Sequence, residues 1–267
     1  MRFMASPRII YLAINLPSST SRREHIVGEG RKHGLDIQII EAVAGKTLSD
    51  EQKALYDSRR RESMYISHLT PNEQACAHSH RKALQTFIES DADYAVVLED
   101  DATLEPDFNK GIKYLTESLP GWECCKLYTE PSKLYPLCPH LPDAPIQPVF
   151  PKKLPWGSVA YLYSRAGAEK IMSHFRSLWL GIDTQLADTM LRHHIPVIGV
   201  SPNLVGTLYA CNEQSDIDDG GQRYAEAKKK QRTALQYIKY RASVVHRAFG
   251  KWLMRLQMRS IFKKTLS

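Results

Sequence analysis

Tyr94-Ala95-Val96-Val97-Leu98-Glu99-Asp100-Asp101 decides how the rest of the chain is read. The first five residues form a short apolar run, the pattern of a buried strand, and the run stops abruptly at three acids. Consecutive carboxylates repel one another, and nothing basic follows until Lys110. A strand end gains nothing from such a cluster unless a cation neutralises it. Hard divalent ions take carboxylate and phosphate oxygens together while keeping several waters. A metal shared with a pyrophosphate would act as a Lewis acid on a departing nucleoside diphosphate. The plainer alternative is a solvated acidic turn ahead of a helix at Asp107. Its position directly after a buried strand weakens that alternative.

Working outward, residues 8–16 are nearly all apolar and rich in branched side chains, which suits a strand covered on both faces. Pro17 and the serines after it end the strand, and a helix is expected through Arg31. Asp36–Val43 reads as a second strand, and Lys46–Arg61 as a helix and a loop. Thr70-Pro71-Asn72-Glu73 is a capping box with proline at the first helical position, which predicts a helix to about Glu89. Downstream, Asp107–Leu119 is expected to be helical, and the proline-rich residues 131–155 a loop or extended excursion outside the core. Gly157–Tyr163 reads as a strand, Ser164 as the cap of a helix over Ala166–Phe175, Asp183–His194 as a helix and Pro196–Val200 as a strand. Strands and helices alternate, so the expected fold is α/β with a mostly parallel central sheet and helices on both faces. Ligands on such sheets bind beyond the carboxyl ends of the strands. Asn15 and the Glu99–Asp101 acids both lie at such ends.

Composition narrows the classes. A chain with 43% hydrophobic and 24% charged residues is ordinary for a soluble globular protein. It has no apolar run of the roughly 18 residues that a spanning helix needs. Ile9–Leu16 is too short for a secretory signal and reads as the first buried strand. The five cysteines are odd in number and lack CxxC spacing, so they read as reduced thiols in a cytosolic core. Neither GxGxxG nor GxxxxGK[ST] occurs, which argues against Rossmann dehydrogenases and P-loop hydrolases. Any nucleotide must then be held by metal and side chains.

Several blocks together resemble glycosyltransferase family 25, the lipooligosaccharide-biosynthesis glycosyltransferases. They are Ile14-Asn15-Leu16 with Arg22-Arg23, then Glu73-Gln74-Ala75-Cys76-Ala77-His78-Ser79-His80, then Leu98-Glu99-Asp100-Asp101-Ala102. Trp156-Gly157-Ser158-Val159-Ala160-Tyr161 and Ser215-Asp216-Ile217 follow in the family's order. One departure is Asn72, where the family's helix motif usually has glycine. The resemblance implies a GT-A-like, Rossmann-type nucleotide-diphospho-sugar transferase fold. It also implies an inverting transfer of a hexose, galactose or glucose, from a UDP-sugar to a lipooligosaccharide or lipopolysaccharide core. Glu99 and Asp101 match the metal carboxylates, for Mn2+ or Mg2+, and Asp100 a nucleotide carboxylate. Asn15 and Arg22 fit a nucleotide pocket beyond the first strand, and Asp216 falls in the closing block.

Glu73 and His80 are seven residues apart and share a helical face, so both are candidates for the donor site. A capping-box Glu73 needs no further purpose, and His80 can equally be a structural histidine. An inverting transfer needs one carboxylate to deprotonate the acceptor hydroxyl. Asp183 is the candidate, a plain helix cap being its alternative, with Asp188 and Asp216 in reserve. Trp156 with Gly157 would offer a flat face for a sugar beside a close backbone approach, or else a core tryptophan.

The net charge of +7 is uneven, because 13 of the 36 Lys and Arg but only one of the 29 acids, Glu226, lie from Arg223 onward. The expected division is therefore a catalytic domain over 1–221 and a basic amphipathic helical tail over 222–267. In the tail, apolar positions 235, 238, 242, 245, 249, 252, 253 and 256 keep helical spacing, with basic residues every four from Arg247. Residues 235–264 read as an anchor on anionic membrane, against the alternative of a helix docked on the body. This places the protein in the cytoplasm, peripheral on the inner face of the cell membrane, with a lipid-linked oligosaccharide acceptor and no nucleic acid partner. The oligomeric state is open. Two other readings compete: a catalytically inactive glycosyltransferase-like protein that binds nucleotide or glycan, and a metal-dependent phosphohydrolase using the same carboxylates.

Overall fold

Strand β1 (Ile9–Asn15) lies between β2 (Ile37–Glu41) and β3 (Tyr94–Glu99) and is parallel to both, with Ala13 beside Ile39 on one side and Leu98 on the other. Strands β1 and β3 are covered on both faces, and Leu12, Ala13, Val96 and Leu98 are wholly buried. The computed structural model describes residues 6–64, 67–129, 134–151, 154, 157–208 and 234–265. Helix α1 (Thr20–Lys32) returns the chain from β1 to β2. A 3-10 turn (Gly45–Thr47), α2 (Asp50–Ala54), α3 (Ser58–Met64) and α4 (Pro71–Glu89) lead to β3. The capping box is as expected. Glu73 N donates to Thr70 Oγ1 at 3.2 Å, Thr70 N donates to Glu73 Oε2 at 2.8 Å, and the helix runs to Glu89.

After β3 come β4 (Ala102–Leu104), α5 (Phe108–Glu117), β5 (Cys124–Lys126), β6 (Leu134–Pro136), β7 (Gln147–Pro151) and β8 (Ala160–Ser164). Then follow α6 (Arg165–His174), α7 (Ile182–Arg192), β9 (Val197–Ser201), β10 (Val205–Thr207) and the long α8 (Ala234–Thr265). The eight-stranded sheet has the order β2-β1-β3-β8-β5-β9-β7-β6, and β4 pairs with β10 separately. All strands of the main sheet point one way except β8 and β7, so the central sheet is mostly parallel, as expected.

Two expectations need correction. The proline-rich stretch is not outside the core: it supplies β6 and β7, and Leu137, Ile146, Val149 and Phe150 are buried. The prolines are tolerated because β6 is an edge strand and Pro136 and Pro151 end their strands, while Pro148 still accepts Leu137 N through its carbonyl at 3.2 Å. Strand β5, only Cys124-Cys125-Lys126, was not anticipated, yet it sits mid-sheet with all three residues buried.

Helix α8 packs on α3, α7 and β9. Met254, Met258 and Phe262 are fully buried and join the same core as the sheet. Gly121, at φ 88°, sits against Ile261, where any Cβ would collide. The apolar stripe read from the sequence is mostly a different face and, apart from half-buried Leu253, stays exposed from Ile238 to Leu256. Residues 222–233 and the side chains of Leu235 and Gln236 lie outside the described residues.

Candidate active site

The parallel pairing of β1 and β3 brings their carboxyl ends together, with Ile14 opposite Glu99. The first half of α4 crosses above them, and the Ala42–Lys46 turn closes the side. Gly45 is required there, because a Cβ would run into the backbone of Asn72 and Pro71. Ser79 reinforces this wall by accepting Val43 N at 2.9 Å. The result is a cavity of about 310 Å³, lined among others by Arg22, Lys46, Cys76, His80 and the acids Glu99, Asp100 and Asp101.

The three acids have three different surroundings. Asp100 is clasped by neighbours: Asn15 Nδ2 donates to Oδ2 at 2.7 Å and Arg22 Nη1 to Oδ1 at 3.5 Å. Burial raises its pKa and Glu99 adds to the rise, while Asn15 and Arg22 oppose it. Glu99 Oε1 accepts hydrogen bonds from Ser158 Oγ and, at 3.2 Å, from His80 Nε2. Burial alone would raise the pKa of Glu99, but His80, Ser158 and the charge of Lys126 hold it below the usual carboxylate range.

Asp101 is the outlier. Thr207 Oγ1 donates to Oδ2 at 2.7 Å, whereas Oδ1 is buried with no hydrogen-bond partner among the described residues. Burial first, then Glu99, and more weakly Asp100, push its pKa up to about 6 despite Thr207. A buried carboxylate oxygen without a donor is costly, and a cation in the cavity would relieve it. The oxygen-rich donor set at Asp101 suits a hard divalent ion.

Glu99 also belongs to a second constellation. Cys76, His80 and Glu99 offer ligand atoms that all lie within 4.8 Å of one another. Burial keeps the Cys76 thiol protonated, raising its pKa well above the ordinary value. Oε1 of Glu99 already holds two donors, whereas the buried Oδ1 of Asp101 holds none among the described residues.

Glu73 is not among the residues lining the cavity, and its carboxylate caps α4. His80 is buried and does line it. Asp183 is inside the first turn of α7, whose N-cap is Gly181, so it is not the cap residue. Its Oδ1 accepts from Thr184 N at 2.6 Å and Thr184 Oγ1 at 3.2 Å. Its charge is felt at Cys76, Lys126 and Tyr161, which also feel Glu99. Asp188 is buried and tied to Arg192 Nε at 2.6 Å. Gly157, at φ 74°, presents its carbonyl to Lys126 Nζ at 2.8 Å. Trp156 and Asp216 lie outside the described residues.

Sequence reasoning missed Lys126. It is almost wholly buried, and burial pushes its pKa down to about 8, with Asp183 and Glu99 opposing the fall. Lys126 holds Gly157, and the adjacent Ser158 holds Glu99. A lone lysine after two cysteines gave no signal. Ser158 stood inside a quoted motif without a role.

These features define a doubly wound α/β protein with a ligand crevice at the carboxyl ends of its parallel strands and an unsatisfied acid inside it. Residues 9–135 match the family model described as "Glycosyltransferase family 25 (LPS biosynthesis protein)". Over that segment, just under half of the chain, the sequence is similar to this family. It is 26% identical over 173 residues to a human protein named procollagen galactosyltransferase 2, covering 60% of this chain and 26% of that protein. A glycosyltransferase 25 family member of Anopheles gambiae is 31% identical over 123 residues, covering 43% and 20%. The chain therefore spans about a quarter or less of the length of these relatives. Among solved structures, a mannosyltransferase from Pyrobaculum calidifontis in complex with GDP-Man and Mn2+ matches at 10% identity and a TM-score of 0.40, covering 98% of this chain and 76% of that one.

Proposed function

We propose that the chain transfers a hexose, galactose or glucose, from a UDP-sugar to a hydroxyl of a lipid-linked oligosaccharide on the inner face of the cell membrane, with inversion at the anomeric carbon. The observation that carries this reading is Asp101 Oδ1, a buried carboxylate oxygen without a donor at the mouth of two parallel strands. Asp101, with Glu99 beside it, would hold Mn2+ or Mg2+. When bound, the ion supplies Lewis-acid stabilisation to the diphosphate. Arg22 and Asn15, through Asp100, shape the wall on which the nucleotide rests. Asp183 takes the proton from the acceptor hydroxyl as its oxygen bonds to the anomeric carbon. The bond from that carbon to the diphosphate breaks and UDP leaves. Oδ1 of Asp183 is occupied by Thr184, which leaves Oδ2 for the acceptor.

The test is calorimetric titration of UDP-galactose and UDP-glucose with and without manganese, followed by product analysis with and without an oligosaccharide acceptor. Manganese-dependent binding with acceptor-dependent release of UDP is expected. UDP-sugar cleavage at the same rate without acceptor would make the protein a phosphohydrolase. Binding without turnover would make it a nucleotide- or glycan-binding protein.

A further inference from the structure

Helix α8 is apolar on two opposite faces, and among the described residues the body of the protein covers only one. Met254, Met258 and Phe262 form the covered face. Ile238, Val245, Phe249, Trp252 and Leu256 recur at intervals of seven, four, three and four, which places them along one side of the helix. At 100° per residue this side lies roughly opposite Met254. All five are exposed, Phe249 by 56% and Trp252 by 53%. The rings of those two stack on each other in the open, with centroids 5.7 Å apart. From Ile238 to Leu256 the strip runs for roughly 27 Å at 1.5 Å per residue. Contiguous apolar strips of that length on a protein surface mark a contact.

Charge identifies what the strip contacts. Lys239, Arg241, Arg259, Lys263 and Lys264 are exposed, and no acid occurs anywhere in α8. Three other cations of the helix, Arg247, Lys251 and Arg255, are half-buried, and Arg255 lies 3.8 Å over the ring of Tyr135. A second copy of the same face would oppose cations with cations and bring no acid to pair them. Anionic lipid headgroups would neutralise them while the acyl boundary takes up the apolar strip. Among the described residues no helix is long and apolar enough to cross a membrane.

We propose that the outer face of α8 lies in the interfacial layer of a bilayer containing anionic lipid, with Phe249 and Trp252 below the headgroups and the exposed cations at phosphate level. This surface needs neither donor nor acceptor, so its fate is separate from that of the transferase reading.

The experiment is co-sedimentation of the full chain with vesicles of phosphatidylcholine alone or with about a third phosphatidylglycerol. Deleting the helix is a poor probe, because it would uncover the pocket of Met254, Met258 and Phe262. The double variant Phe249→Ser with Trp252→Ser changes only exposed side chains, and its thermal midpoint should match the parent. The parent should bind anionic vesicles in a salt-dependent way, and the double variant should lose roughly ten-fold or more in affinity. Three outcomes would overturn the proposal. They are no binding of the parent to anionic vesicles, equal binding by parent and variant, or a parent dimer that the double substitution dissociates. Donor titration and transfer to a soluble acceptor are measured on the same samples and should not change.

Discussion

The two halves of the sheet are built by different rules. From β2 to β3 every neighbour is parallel, and β1 and β3 are apolar runs covered on both faces while β2 forms the edge. From β8 to β6 direction alternates, apart from the parallel pair β5 and β9, and the strands are short, proline-bearing or, in β5, end in a lysine. The first half supplies the carboxylates. The second supplies Lys126, a buried counter-charge between Glu99 and Asp183, and the carbonyl of Gly157 that holds it in place. The site therefore draws on both halves, the acid triplet from one and Lys126 from the other.

The most severe way to break this comparison is Asp101→Asn. Losing the carboxylate that would hold the ion should lower transfer by about 10³, several kcal/mol of stabilisation at a developing charge, with no loss of thermal stability in the metal-free protein. Activity within a factor of two of the parent would remove Asp101 from the chemistry.

Next in size is Lys126→Met. It leaves the Gly157 carbonyl unpaired and loosens Ser158 from Glu99, and kcat should fall by roughly 10- to 100-fold with donor affinity less affected. If the second half of the sheet were only scaffold, steady-state kinetics would show no change beyond that of a Cys125→Ala control.

The pH dependence of stability separates the acids further. Asp101 has a folded-state pKa of about 6, above the ordinary carboxylate value. The folded protein therefore keeps a proton that the unfolded chain has already released. The stability this lends the metal-free fold is full below pH 4 and is lost as pH rises through 6. Denaturant titrations of the parent and Asp101→Asn should thus diverge by about 1–2 kcal/mol at pH 7.5, with the variant the more stable. Coincident curves would mean that Asp101 is not strained. Divalent ion binding should release a proton near pH 6, readable by calorimetry in buffers of differing ionisation enthalpy.

The smallest effect is Thr70→Ala. It removes one half of the capping box and should cost about 1 kcal/mol of global stability, measured by urea denaturation, while His80 and Glu99 stay paired. A large loss of activity in this variant would show that the helix start positions the cavity.

Legibility followed the same division. The β1 and β3 runs, the Thr70 cap and the acid triplet could be read because each has a local cause in hydrophobic period, side-chain capping or charge repulsion. Within the second half, β8, the Ser164 cap and β9 were readable for the same reasons, but β5, β6 and β7 were not. A three-residue strand ending in lysine carries no period, and prolines mimic a loop when their missing N–H groups fall at strand ends or sheet edges. In the site, Asn15, Arg22, His80 and the acids line the crevice or clasp its walls. Lys126 escaped notice because its meaning comes from neighbours distant in sequence, Glu99, Gly157 and Asp183. On α8 the visible stripe was the outer one. Met254, Met258 and Phe262 run along the other side, interleaved with basic residues, and only packing distinguishes the two faces.

The order of strands also decides which segments can stand alone. The segment matched by the family model ends at residue 135, yet β8, the strand that joins β3 to β5, begins at Ala160. Cut at that boundary, the piece would leave β3 with a bare hydrogen-bonding edge and β5 with two, and such edges recruit other chains. Residues 9–135 are therefore not a unit of folding. Any substitution in the later residues has to keep one antiparallel strand in the gap.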